Sequence, residues 1–305
     1  MEKHRKKLIK NAAVFDGHSS GLAQGKKIVI EDDIVTEITA DEVSEENFDE
    51  VFDGTGMVAM PGMTDAHVHM GCLFAKGEFP VDYATVLTVA KCKDALMAGF
   101  TTFRDAGSVS EGLKLAFDEG VLPGPRIYPC GAYISQTCGH GDSEYAHTYR
   151  DIQYGHPSST VLADGVPEII RAVREQFYRG ASHIKLMATE ILNRHEDIRL
   201  LFGTDMMITG PDYQVEQSED IRYYEKCFGT MRALRALTGT ANEVFALTTY
   251  QNPYPKGKIG VLEAGSYADL LLVDGDPTKR VSVLADTDHL RLIMKGGTVY
   301  KNTLC

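Results

Sequence analysis

The spacing of hydrophobic and polar positions changes twice along the chain. Near the start, Leu8 to Phe15 reads as one short β-run, and residues 26–38 (KKIVIEDDIVTEI) read as two more around an acidic turn. Near the end, Ala268 to Val273 (ADLLLV) and Leu290 to Tyr300 (LRLIMKGGTVY) repeat the habit, with Gly296-Gly297 as the expected hairpin turn. Two lone hairpins are only marginally stable in water, so the economical arrangement packs both chain ends together as one small β-sandwich.

Between the ends, strand patterns alternate with helical ones. Val58 to His69 leads into a strand ending in HVH, and Val81 to Ala98 has helical apolar spacing closed by Gly99. Next come a strand at Thr101 to Arg104, a helix at residues 110–119 and a strand with a long loop at Arg126 to Ile134. Pro167 to Tyr178 reads as a helix stopped by Gly180, His183 to Ala188 and Ile198 to Thr204 (IRLLFGT) as strands, and the remainder to Leu247 as helical. This βαβα rhythm predicts a parallel sheet covered by helices. Only five strands are convincing, and the segment falls short of the roughly 250 residues that a closed eight-stranded barrel usually fills.

Composition narrows the function classes. Of 305 residues, 43% are hydrophobic and 24% charged, which is globular usage. The net charge of −12, with no basic run beyond Lys3 to Lys10, argues against a nucleic-acid partner. The residues after that basic run (NAAVFDGHSSG) are polar, unlike a signal peptide, and no stretch reaches the roughly 18 apolar residues of a membrane span. The expectation is a soluble cytoplasmic protein without a membrane partner. Six cysteines without CxxC spacing read as reduced, mostly buried thiols, with Cys138 set apart by its Gly- and His-containing loop. No strand is followed by GxGxxG or GxxxxGK[ST], so a nucleotide-binding α/β protein is excluded.

The chemistry concentrates in TDAHVHM. Asp65, His67 and His69 occupy alternate positions of a strand, so their side chains leave one face. Two imidazoles at a strand's C-terminal end can ligate a divalent metal, where barrel enzymes place their active sites. A bare HxH is common by chance, and its weight here comes from the preceding PGMTDA and the βα context.

PGMTDAHVHM resembles the first-strand signature of the amidohydrolase superfamily, and GVLEAGSYADLLLVDGDP with IMKGGTVY is similar to its closing segment. Within it, GFTTFRDAG, TCGHGD, SHIKLMAT and LLFGTD resemble the imidazolonepropionase-like branch, which includes Xaa-Pro and Xaa-Arg dipeptidases. The resemblance implies an α/β fold: an incomplete TIM-like (β/α) barrel over residues 59–257, plus a small β-sandwich from residues 1–58 and 258–305. It implies a Zn2+ site of one or two divalent ions held by His67, His69, Lys185 and Asp205, with Lys185 N6-carboxylated as an oxygen ligand. Asp205 would be the proton-shuttling catalytic residue, and His140 a second catalytic residue touching the substrate. The implied reaction is hydrolysis of an amide or other non-ester C–N bond in a dipeptide, N-acyl amino acid or cyclic amide.

Plainer readings stand beside these. Lys185 also fits a lysine snorkelling from a strand end, Asp205 a helix N-cap, and His140 a surface loop histidine. Arg104 and Asp105 are near enough in sequence to reach the site, although an internal ion pair is the simpler account.

The chain departs from the family in one region. Members of the branch supply two more histidines from their fifth and sixth strands, whereas here only His195, in the polar stretch NRHEDIR, lies between Lys185 and Asp205. Glu190-Ile191 replaces the usual Gly-Gly, which reads as a deletion of βα units around residues 189–198. A barrel so shortened must close smaller, stay open, or borrow strands from a second copy, so a homo-oligomer is expected. The alternative to a metallohydrolase is a non-catalytic remnant serving as a binding or oligomerising subunit.

Overall fold

The computed structural model describes residues 4–70, 81–107, 111–137, 139, 141–142, 160–187, 199–207 and 213–304. Cys138, His140, His195 and the region 189–198 lie outside the described residues.

Two sheets are built from the ends of the chain. The first has the order β4-β3-β1-β5, from β1 (Lys6–Lys10), β3 (Lys27–Glu31), β4 (Ile34–Thr39) and β5 (Glu50–Asp53). The second has the order β15-β14-β13-β6-β2, joining β2 (Ala13–Val14) and β6 (Val58–Pro61) to β13 (Leu270–Val273), β14 (Leu290–Lys295) and β15 (Thr298–Asn302). One apolar cluster draws on both sheets, with Ile9, Ile28, Ile30 and Phe52 from the first and Leu270, Leu272, Leu292 and Met294 from the second. Gly296 and Gly297, at φ 54° and 70°, form the turn between β14 and β15. Two successive positive φ values are what a type I′ hairpin requires. A side chain at Gly297 is also excluded by packing, since a Cβ there would stand 1.8 Å from the Asp32 carbonyl oxygen.

The Leu8 to Phe15 run is two strands rather than one, because Asn11 turns into the left-handed region at φ 62°. Arg126 to Ile134 likewise divides into β9 (Arg126–Tyr128) and β10 (Tyr133–Ser135), parted by Pro129 and by Gly131 at φ 68°. Proline has no N–H for a ladder, and the left-handed glycine redirects the chain.

The central parallel sheet has the order β12-β7-β8-β9, with β7 at Met63–His69, β8 at Phe100–Asp105 and β12 at Met206–Met207. β10 pairs in parallel with β11 (Thr160–Leu162) as a separate two-stranded sheet. The helices are α1 (Val81–Met97), α2 (Glu111–Asp118), α3 (Val166–Tyr178), α4 (Tyr213–Phe228), α5 (Thr230–Leu237) and α6 (Gly239–Phe245). A second apolar cluster fills the space between sheet and helices, with Val68, Phe100, Phe103, Phe202, Leu234 and Leu237 at its centre. Among the described residues the parallel strands do not form a closed ring. No helix among them is long and apolar enough to cross a membrane.

Two expected strands are not formed as expected. The described part of Ile198 to Thr204 carries no strand, and β12 starts later, at Met206. Residues 202–205 still run beside β7: Ala66 N–H donates to the Phe202 carbonyl, and Asp205 N–H to the His67 carbonyl. The left-handed turn at Asp205 interrupts a regular ladder. Of His183 to Ala188, only Leu186 forms a bridge, parallel to Ile134, and residue 188 lies outside the described residues.

Candidate metal centre

The site lies at the C-terminal end of β7, where residues 202–205 approach from the far side of the sequence. Each residue of FGTD has a physical task. Phe202 is fully buried in the core. Gly203 permits the close approach, since a Cβ there would stand 2.7 Å from His67 Cβ. Thr204 donates from Oγ1 to Asp65 Oδ2 at 2.9 Å and from its N–H to Oδ1 at 3.3 Å. Asp205 then takes φ 55°, a conformation that aspartate tolerates better than most residues.

That turn brings Asp205 Oδ1 to 2.9 Å from His67 Nε2 and 3.0 Å from His69 Nε2. One ligand atom from each of the three residues lies within 4.8 Å of the others, so the group is able to hold a metal ion. Lys185 Nζ stands 3.0 Å from His67 Nε2. The two imidazole rings are tilted by 55° with centroids 5.4 Å apart. The carboxylate of Asp205 is 72% exposed, so the cluster opens to solvent on that side.

The electrostatics favour a neutral imidazole. Burial, reinforced by the Lys185 ammonium, pushes the His67 pKa down to about 4, while Asp205 pulls the other way. A neutral ring has the lone pair that a metal requires. His183 is also neutral: burial lowers it to about 3, its Nε2 lies 3.1 Å from the Asp105 carbonyl oxygen, and its Nδ1 3.0 Å from Ser182 Oγ. Burial pushes Asp65 up to about 6, against the hydrogen bonds from the His67 N–H, Thr204 and Gln217.

The structure thus brings together His67, His69, Lys185 and Asp205, which are far apart in sequence. His140 lies outside the described residues. Arg104 and Asp105 do not form an ion pair with each other. Arg104 Nη1 donates to the Ala66 carbonyl at 3.3 Å, and Asp105 Oδ1 accepts from Met70 N–H at 3.1 Å. The β7–β8 register skips between Asp65 and Val68, which sets Ala66 and His67 together opposite Arg104. Sequence reasoning missed the work of Thr204, Gly203 and Gln217. The small residue before Thr-Asp was the one available signal of a close backbone approach.

The donor set, two imidazole nitrogens and a carboxylate gathered at the C-terminal end of a parallel strand, is of a kind that holds a single divalent ion. No second three-ligand cluster occurs among the described residues.

Comparison with known proteins adds to these observations. Residues 58–198 match the model of the amidohydrolase family. The chain also shares its fold with a crystallised amidohydrolase at a TM-score of 0.85 and 23% identity, covering 98% of this chain and 100% of that one. The resemblance to amidohydrolases carried by the motifs is therefore borne out. More particularly, ochratoxinase of Aspergillus niger is 34% identical over 152 residues, 43% of this chain and 31% of that enzyme. A 5-methylthioadenosine/S-adenosylhomocysteine deaminase of Dictyoglomus turgidum is 34% identical over 70 residues, 23% of this chain and 16% of the relative. The chain spans less than a third of the length of these curated relatives. The A. niger ochratoxinase structure aligns with a TM-score of 0.75 at 18% identity, over 99% of this chain and 96% of that one. A Xaa-Pro dipeptidase with bound methionine aligns with a TM-score of 0.67 at 21% identity, over 97% and 100%. At these identities the likeness of the solved structures is one of fold.

Proposed function

We propose that the protein is a metal-dependent amidohydrolase that cleaves an amide or related C–N bond in a dipeptide, an N-acyl amino acid or a cyclic amide. The observation that carries this reading is that Asp205 Oδ1 stands 2.9 Å from His67 Nε2 and 3.0 Å from His69 Nε2, with one ligand atom of each of the three residues within 4.8 Å of the others. A divalent ion, zinc in this reading, would be held by those three residues and would supply Lewis acidity and a lowered pKa for bound water. Asp205, exposed and at the mouth of the cluster, takes a proton from the attacking water and returns it to the leaving nitrogen. Burial and the neighbouring Lys185 keep the His67 imidazole neutral, as a metal ligand must be. In this reading Lys185, half-buried beside His67, would act as a carboxylated ligand, and His140 would contact the substrate. In the same reading the parallel strands form an incomplete barrel, and the two terminal sheets stack as a small sandwich domain.

The test is metal analysis of purified protein, coupled to a hydrolysis screen. Its panel contains Xaa-Pro dipeptides, N-acyl amino acids, cyclic amides and ochratoxin, the last because of the relatives. About one zinc per chain, with turnover lost to chelator and restored by zinc, is the expected result. A folded protein with neither metal nor turnover sinks the proposal. One observation favours a second reading, that of a non-catalytic binding subunit: the described parallel strands leave the sheet open, with a single three-ligand cluster. Metal without turnover across the panel would decide for it.

A further inference from the structure

Two residues before His67, β7 carries a further polar side chain, Asp65, opposite Phe103 of β8. Asp65 is fully buried, and its carboxylate is satisfied from three directions. Its Oδ1 accepts from the N–H of His67 at 3.1 Å and of Thr204 at 3.3 Å. Its Oδ2 accepts from Thr204 Oγ1 at 2.9 Å and from Gln217 Nε2, on α4, at 3.2 Å. A carboxylate taken out of water is tolerated when its oxygens are filled in this way.

The segment it grips lies 139 residues away in sequence and leads straight into Asp205. Asp205 leaves that grip with φ 55°, its N–H bonded to the His67 carbonyl at 2.8 Å. A left-handed non-glycine residue is held only where its surroundings over-determine it, and Asp65 is the polar anchor immediately before the turn.

We propose that Asp65 is a positioning residue for the metal centre. By pinning Thr204, it fixes the backbone from which Asp205 delivers its oxygen between His67 and His69, and so sets cation affinity and coordination geometry. The inference rests on reading His67, His69 and Asp205 as a metal centre. Asp65 acts through Thr204, in the manner of the outer partners that orient metal ligands elsewhere.

The experiment titrates the metal-stripped protein with Co2+ and tracks the visible ligand-field absorption. It compares wild type with Asp65→Ala, Thr204→Val, Thr204→Ser and Asp205→Ala, each checked for fold by circular dichroism and urea unfolding. Asp65→Ala and Thr204→Val are expected to weaken Co2+ binding about 10- to 100-fold and to alter the band intensities. Thr204→Ser keeps the hydroxyl and restores both. Lost stability alone would leave the spectrum and affinity of the folded fraction unchanged, so these readouts separate positioning from bulk folding. Should Asp65→Ala fail to fold, the Thr204 pair carries the test. Wild-type affinity and spectrum in Thr204→Val, with binding lost in Asp205→Ala, overturns the inference alone. A wild-type protein that binds no Co2+, or an Asp205→Ala variant that binds it as well as wild type, overturns the metal-centre reading and the inference with it.

Discussion

Arg126 on β9 donates from Nε to Asp269 Oδ2 at 2.7 Å and from Nη2 to Oδ1 at 3.2 Å, joining the central parallel sheet to the segment that leads into β13. Both residues are buried. The guanidinium also lies over the Tyr267 ring, 3.8 Å from its centroid, and Asp269 Oδ1 accepts from the Gly296 N–H at the β14–β15 turn. Removing one member of a buried pair strands the other charge, which typically costs about 3–5 kcal/mol. Arg126→Met is therefore expected to lower the urea midpoint sharply, and Arg126→Met with Asp269→Leu to recover part of the loss. A single-variant loss below about 1 kcal/mol, the size of an exposed pair, would contradict this account.

Lys295 supplies a pH-dependent test. It is buried, donates to the Gly124 carbonyl at 2.6 Å, and burial depresses its pKa from 10.5 to about 8. The folded protein thus holds this proton less tightly than the unfolded chain does. Between pH 8 and 10.5 the unfolded state carries more protons, so this residue's contribution to stability rises with pH through that window and is least below it. Unfolding free energies of wild type and Lys295→Met, measured from pH 7.5 to 10, are expected to diverge in favour of wild type as pH rises. The divergence should be on the order of 1–3 kcal/mol. Parallel curves would show that Lys295 titrates normally in the folded state.

Gly203→Ala tests the close approach of FGTD to β7. Its Cβ would stand 2.7 Å from His67 Cβ and 3.2 Å from the His67 backbone nitrogen. Overpacking of this kind costs about 1–3 kcal/mol, and the displaced segment carries Asp205 away from the imidazoles. Zinc content is expected to fall along with the melting temperature. A variant with full zinc and unchanged melting would refute the tight packing at this position.

Metal binding should be visible as stability. A ligand that binds only the folded state adds about 2.7 kcal/mol at a concentration one hundred times its Kd. Zinc added to the metal-stripped protein should raise the thermal midpoint, and chelator should reverse the rise. His67→Ala and His69→Ala should abolish the response while the stripped variants keep a cooperative transition. A zinc-induced rise that survives both substitutions would place the ion elsewhere.

The features that the sequence determined by itself were local and periodic. Alternation marked β7 as the strand that carries His67 and His69, although the register shift between Asp65 and Val68 breaks the strict alternation expected from Asp65 onward; apolar spacing marked α1 and α3, and the Gly296-Gly297 pair marked its turn. These patterns are legible because they depend on the geometry of a few consecutive residues. The motifs also identified the amidohydrolase likeness and the distant members of the cluster.

The tertiary structure decided the contacts between segments remote in sequence. His69 meets Asp205 across 136 residues, and Arg126 meets Asp269 across 143. The strand expected at Ile198 to Thr204 is missing from its described residues because Gly203 is pressed against His67 and Asp205 turns left-handed. Neither constraint exists until β7 and the 202–205 segment are side by side. The same holds for Thr204, which is an ordinary polar residue in the sequence and a partner of a buried carboxylate in the fold. Hydrophobic periodicity records which side of an element faces the core. The selective fit of one polar side chain to another depends on packing of the whole molecule.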